Sequence, residues 1–197
     1  MIKKIVIIPA ILSFFIISCN LFAEANIENK ITSMIEQNST TCEKYYGSKY
    51  FANKEGTKWT PMLYTDNKCT TEFTGENLFL NNSKIINLTP ISELKNLLHL
   101  YLGNNQLKNI ELLSNLTNLE VLDVSYNYLT SIKPVSGFEK LKFLKADHNR
   151  LTNISSISDL EDLEYVDVSY NQILRMEPMP NLNKLREFIL VGNPIMK

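Results

Sequence analysis

The sequence predicts an α/β-type repeat solenoid: an arc of short coils, a parallel β-sheet on its concave face and 3₁₀ or other tight turns on its convex face. Three observations carry this. Leucines recur at a spacing of 22 residues, at Leu97, Leu119, Leu141, Leu163 and Leu185. Within each copy the next apolar positions alternate with period 2, as a strand requires, and the later ones recur every three residues, as tight turns require. An unbroken asparagine column, Asn105, Asn127, Asn149, Asn171 and Asn193, follows the strand positions at the same spacing.

Composition limits the alternatives. The chain has 197 residues, 44% of them apolar and 21% charged, with six Gly and seven Pro. That is too apolar for a disordered chain and too poor in Gly and Pro for a low-complexity one. Twenty basic residues face 21 acidic ones, for a formal charge of −1. No strong positive field remains for phosphate backbones, so nucleic acid is not an expected partner. Two histidines and three cysteines leave little material for a zinc site.

Residues 1–25 read as a signal peptide. Lys3 and Lys4 precede an apolar run from Ile5 to Ile17, too short for the roughly 20 apolar residues of a membrane-spanning helix. Two processing sites compete. Ala23-Glu24-Ala25 is an A-x-A site that leaves a soluble product starting at Asn26. Ile16-Ile17-Ser18-Cys19 resembles a bacterial lipobox that leaves Cys19 lipidated. The apolar residues after Cys19 favour the soluble product. Either route exports the protein, to a secreted, periplasmic or cell-surface location.

Residues 26–74 are expected to form an N-terminal cap, because a stack of coils exposes its core at each end. Ile27, Ile31, Met34 and Ile35 share one helical face and predict a helical lid. Export leaves Cys42 and Cys69, which in an oxidising compartment predict one disulfide. Closing that loop stabilises by about 3 kcal/mol on the chain-entropy model. Nearby aromatics, including Tyr45, Tyr50, Phe51 and Trp59, are expected to cover Leu78 and Leu80. A separate ligand site in this segment is the alternative reading.

Residues 75–197 divide into copies at 75–96, 97–118, 119–140, 141–162, 163–184 and a partial 185–197. Strand-core positions are Leu100, Leu122, Leu144, Val166 and Phe188, then Leu102, Val124, Ala146, Val168 and Leu190. Beyond the asparagines come Leu107, Leu129, Leu151, Ile173 and Ile195, followed by convex columns such as Ile110, Ile132, Ile154 and Met176. The first copy carries Gly75 for the leading leucine and Ser83 for the asparagine. An asparagine where the chain leaves a strand can satisfy backbone groups that the turn buries. The last copy stops 13 residues in without a helical cap, which leaves Leu190 and Ile195 partly uncovered and makes end-to-end association an expectation.

The pattern L-x-x-L-x-L-x-x-N-x-L-x-x-I-x-x-L-x-x-L resembles the leucine-rich repeat, in the 22-residue class of bacterial internalins and SDS22-type phosphatase regulators. Leu88-Thr-Pro-Ile-Ser-Glu-Leu-Lys-Asn-Leu97 and the closing Gly192-Asn193-Pro194-Ile195 look internalin-like. The resemblance covers residues 75–197 and implies a protein-binding role, with adhesion or host interaction as its further implication.

The strand face can be read in rows, since parallel strands stack equivalent positions at about 4.8 Å. Val121, Phe143 and Tyr165 form an apolar row and Tyr126, His148 and Tyr170 an aromatic one. Between them, Asp123, Lys145 and Asp167 alternate in sign, with Tyr101 preceding them. Exposed aromatic rows mark binding surfaces. The bland alternative is aromatics that pack on each other beside a self-neutralising Asp–Lys–Asp ladder. Six strands project only about 450 Å², short of the ~800 Å² per partner of a standard interface, so loops or the N-terminal segment are expected to contribute.

Catalysis is not expected. Ser125 and His148 share this face with Asp123, Asp147 and Asp167, but an open sheet supplies no oxyanion pocket and does not exclude water. His99 and His148 lie in different rows and cannot pair on a metal. No cofactor motif is present. The reading is an exported, non-enzymatic module that binds a protein or peptide on its concave face; the alternative is a cell-envelope inhibitor or scaffold with a bacterial partner.

Overall fold

The computed structural model describes residues 41–196, apart from 46–48, 56–57, 67 and 69. The expected signal peptide, the Cys19 lipobox, the Ile27–Ile35 helix and Cys69 of the expected disulfide all lie outside the described residues.

Six three-residue strands build one parallel sheet: β4 (Asn77–Phe79), β5 (His99–Tyr101), β6 (Val121–Asp123), β7 (Phe143–Lys145), β8 (Tyr165–Asp167) and β9 (Glu187–Ile189). Neighbours pair in sequence order, each residue with the one 22 positions on: Leu78 with Leu100, Leu122, Leu144, Val166 and then Phe188. The middle residue of each strand points inward, and from Leu78 to Val166 these are fully buried. The solenoid predicted from the period is therefore the observed fold, and the leading, post-asparagine and convex columns fill its core from Leu78 to Ile173.

Four 3₁₀ turns return the chain behind the sheet, at Thr89–Ile91, Glu111–Leu113, Lys133–Gly137 and Ser155–Ile157. In three of them a serine N–H closes the turn: Ser92 onto Thr89, Ser114 onto Glu111 and Ser158 onto Ser155. Ser136 holds the equivalent position in the fourth. The next copy has no such turn, although the three-residue spacing of Met176, Met179 and Leu182 predicts one. Its residue at the serine position is Pro180, which has no N–H to donate. Met176, Met179 and Leu182 are accordingly half-buried where their counterparts in earlier copies are sealed. Leu190 and Ile195 are also half-buried.

Before the repeats stands a sheet that the sequence reading did not resolve. β1 (Thr41–Lys44), β2 (Phe51–Glu55) and β3 (Lys58–Tyr64) pair antiparallel in that order. Pro61 falls within β3, an edge strand, where a missing donor is tolerated. Tyr45, Tyr50, Ala52 and Leu63 are buried in the same cluster as Leu78 and Leu80. The Tyr45 hydroxyl donates to the carbonyl of Asn87, and Phe73 meets Tyr50 edge-on at 5.3 Å. Strands, with two tyrosines pointing inward, close this end of the repeat core.

Candidate functional site

Each asparagine of the column binds two copies at once. Asn149 accepts the N–H of Leu129 at 2.9 Å and donates to the carbonyls of Val124 at 2.9 Å and Ala146 at 3.2 Å. Asn105, Asn127, Asn171 and Asn193 repeat this pattern, each accepting from a residue 20 positions earlier and donating to a carbonyl 25 positions earlier. Asn105 through Asn171 are buried. These bonds set the bend at the end of each strand and so aim the residues just before it.

Immediately before each asparagine of the column, and before Ser83 in the first copy, the backbone turns left-handed. The φ angles are 57° at Asn82, 53° at Asn104, 52° at Tyr126, 51° at His148, 50° at Tyr170 and 78° at Gly192. Asn and Gly suit this conformation and His tolerates it; Tyr in it costs about 1 kcal/mol or more. The three aromatics offset part of that by stacking, His148 lying 4.0 Å from Tyr126 at 10° and 4.4 Å from Tyr170 at 23°. The Tyr170 ring continues the column over Gly192, where a Cβ would come within 2.6 Å of it.

Beneath this column lies a row the sequence reading left on the surface. Ser125, Asp147 and Ser169 are each at most 5% exposed. Ser125 Oγ donates to Asp123 and Ser169 Oγ to Asp167, both at 2.6 Å. Asp147 Oδ2 lies 2.9 Å from His148 Nδ1, and its Oδ1 has no hydrogen-bond partner among the described residues. The carboxylate assigns the proton to Nδ1 and leaves Nε2 free to meet a ligand. Ser125 is committed to Asp123, so the Asp147–His148 pair has no nucleophile in line.

The outer rows assemble as follows. Phe143 is 43% exposed, while Val121 and Tyr165 are half-buried, so the apolar row is less open than its composition suggests. Phe143 and Tyr165 stack at 6.3 Å. Burial, helped by Asp167 and Glu187, pushes the Tyr165 hydroxyl above its ordinary pKa and keeps it a neutral donor. Tyr101 stacks on Phe79 at 4.8 Å and 7°; Phe79 is 56% exposed and extends the aromatic surface by one strand. Lys145 is exposed between half-buried Asp123 and Asp167. Across the face, Asp123, Asp147, Asp167 and Glu187 stand against Lys145, so the field is acidic.

No group of His, Cys, Asp or Glu among the described residues could hold a metal ion, and no helix among them is long and apolar enough to cross a membrane.

A family model described as "Leucine Rich repeats (2 copies)" matches residues 95–137. No curated protein sequence matches the chain. Among solved structures, the internalin inlF of Listeria monocytogenes is 28% identical with a TM-score of 0.56, over 61% of this chain and 36% of that one. A leucine-rich-repeat protein of Leptospira interrogans is 29% identical with a TM-score of 0.56, over 62% and 32%. The leucine-rich-repeat ectodomain of the Arabidopsis thaliana receptor kinase GASSHO1/SCHENGEN3, solved in complex with Casparian strip integrity factor 2, is 30% identical with a TM-score of 0.50, over 55% and 14%. The chain spans about a third of the length of the two bacterial proteins. The 22-residue period, the asparagine column, the stacked parallel strands and these neighbours together show a leucine-rich-repeat solenoid fold, similar to that of the bacterial internalin and the Leptospira protein.

Proposed function

We propose that the chain is an exported, non-enzymatic module that binds a protein or peptide on its strand face. The contact residues are Val121, Phe143 and Tyr165, the column Tyr126–His148–Tyr170, and Tyr101, Asp123, Lys145 and Asp167. One observation carries the reading. Two tyrosines, with His148 between them, occupy left-handed positions that Asn82, Asn104 and Gly192 occupy at lower cost in the same column. Residues kept at a conformational cost on an exposed face are explained by what they touch there. The Arabidopsis ectodomain, solved with a bound factor, lends support by analogy. The acidic field selects partners with basic side chains, and the free Nε2 of His148 accepts a hydrogen bond from them. Export rests on residues 1–25, with the soluble product preferred to the Cys19 lipoprotein, and adhesion or host interaction follows from the internalin likeness.

The test is capture of the partner by the mature chain, followed by affinity measurements on variants. His148→Asn relieves the backbone and removes the stack, so folding stability stays within about 1 kcal/mol while partner affinity falls at least about tenfold. The double change Phe143→Ala with Tyr165→Ala has the same effect on affinity. Unchanged affinity after both, and after Tyr126→Ala, places the site elsewhere.

A further inference from the structure

The geometry points to a second interaction surface, on the flank of the repeats beyond the asparagine column, that takes an extended acidic peptide bearing a bulky apolar side chain. The stretches 84–87, 106–109, 128–131, 150–153 and 172–175 hold Lys84, Lys108, Arg150 and Arg175 and not one Asp or Glu. None of these four cations makes an ion pair among the described residues, whereas Lys95, Lys142, Lys184 and Arg186 are each paired with a carboxylate elsewhere on the molecule. The flank thus carries uncompensated positive charge, opposite in sign to the strand face.

The same flank is recessed, with apolar side chains set among amides such as Asn87, Gln106 and Asn109. A cleft of about 530 Å³ is walled by Ile86, Leu88, Leu112 and Tyr128 with Lys108 at its rim. A second, of about 580 Å³, shares Lys108 and Tyr128 and ends at Arg150. Ile86 is 58% exposed, Leu112 and Tyr128 44% each. The Arg150 guanidinium lies over the Tyr128 ring at 5.0 Å, which holds the cation ready at the cleft without spending its charge on a carboxylate.

The spacing selects the peptide. Lys108 and Arg150 stand two copies apart and two register positions out of line, so about 10 Å along the stack is the lower bound on the span that their long side chains bridge. A polyproline-II-like chain presents residues i and i+3 on one side about 9 Å apart. Two carboxylates at that spacing meet both cations, and an apolar side chain beside the first enters the cleft between Ile86 and Leu112. A recessed cleft with a directional cation favours this occupant over a flat anionic membrane surface.

A labelled peptide with two aspartates three residues apart and leucine-phenylalanine flanking one of them, made in both chain directions, is the probe, read by fluorescence anisotropy with the full chain. Binding is expected, weakening with salt and at least about tenfold on changing both aspartates to asparagine or on Lys108→Gln with Arg150→Gln. Both lysine and arginine are exposed, so circular dichroism is expected to show the fold retained in that variant. The Phe143→Ala, Tyr165→Ala protein must bind the peptide normally. That separates this surface from the strand face: loss of binding there would overturn the flank assignment, and failure of the strand face leaves the flank untouched. No binding, binding indifferent to the two cations, or Lys108- and Arg150-dependent adsorption to phosphatidylserine vesicles without peptide binding each overturns the proposal.

Discussion

At the residue scale the asparagine column shows how one side chain can substitute for a missing piece of backbone pairing. Between Leu102 and Leu107, or Val124 and Leu129, the chain leaves the strand ladder and has to bury N–H and C=O groups. A carboxamide has two donors and an acceptor in one plane, which a carboxylate or a hydroxyl lacks. Asn149→Ala orphans the Leu129 N–H and removes one of two donors from each of the Val124 and Ala146 carbonyls, which keep Asn127 and Asn171. With about 1–3 kcal/mol lost for one buried unpaired N–H and less for two carbonyls that keep a donor, a loss of about 2 kcal/mol is expected. Urea denaturation of the variant beside the parent measures it; a loss under about 1 kcal/mol would mean the bend is held by other contacts. The column was legible in the sequence because its spacing is strict. Asp147 was not: a polar residue two positions beyond a strand looks exposed, and only the packing of neighbouring copies buries it.

At the element scale the decisive feature is shortness. Three-residue strands take their hydrogen bonds from the neighbouring copies, and the short turns, which close their own bonds, rely on those copies for packing. Three of the 3₁₀ turns use an N–H at the serine position beside the one before it, and Pro180 removes that donor from the copy whose apolar spacing predicts a fifth turn. Pro180→Ser is expected to restore an N–H that bonds the carbonyl of Glu177 and to bury Met176 and Met179 more fully. The new amide should exchange measurably more slowly than an open one in hydrogen exchange. Random-coil exchange there would show that something other than the missing donor prevents the turn. Stability should change by about 1 kcal/mol or less, because losing proline also frees the unfolded chain. The strand elements of the repeats were readable from alternation alone. The antiparallel strands Thr41–Lys44, Phe51–Glu55 and Lys58–Tyr64 were not, because no period links them and Pro61 interrupts the last.

At the scale of the whole described unit, the antiparallel sheet and the repeats share a single buried cluster running from Tyr45 to Ile173. Removing core at one end should therefore be felt in the middle. Leu63→Ala is expected to cost about 2–5 kcal/mol. It should lower the opening free energy of the Leu122 and Leu144 amides by a similar amount. A fall confined to residues 41–80 would show instead that the small sheet opens alone. Opposite charge on two surfaces, acidic over the strands and basic along the flank, gives one molecule two electrostatic preferences.

By itself the sequence determined the solenoid, its register and which residues share a row. These follow from a strict period, and a period survives projection onto one dimension. Only the tertiary structure decided which members of a row are buried, that Tyr126, His148 and Tyr170 stack in a left-handed backbone, and that Lys108, Tyr128 and Arg150 line one cleft. Those facts depend on contacts between copies, and a contact's depth and angle are set by the side chains that neighbouring coils bring against each other.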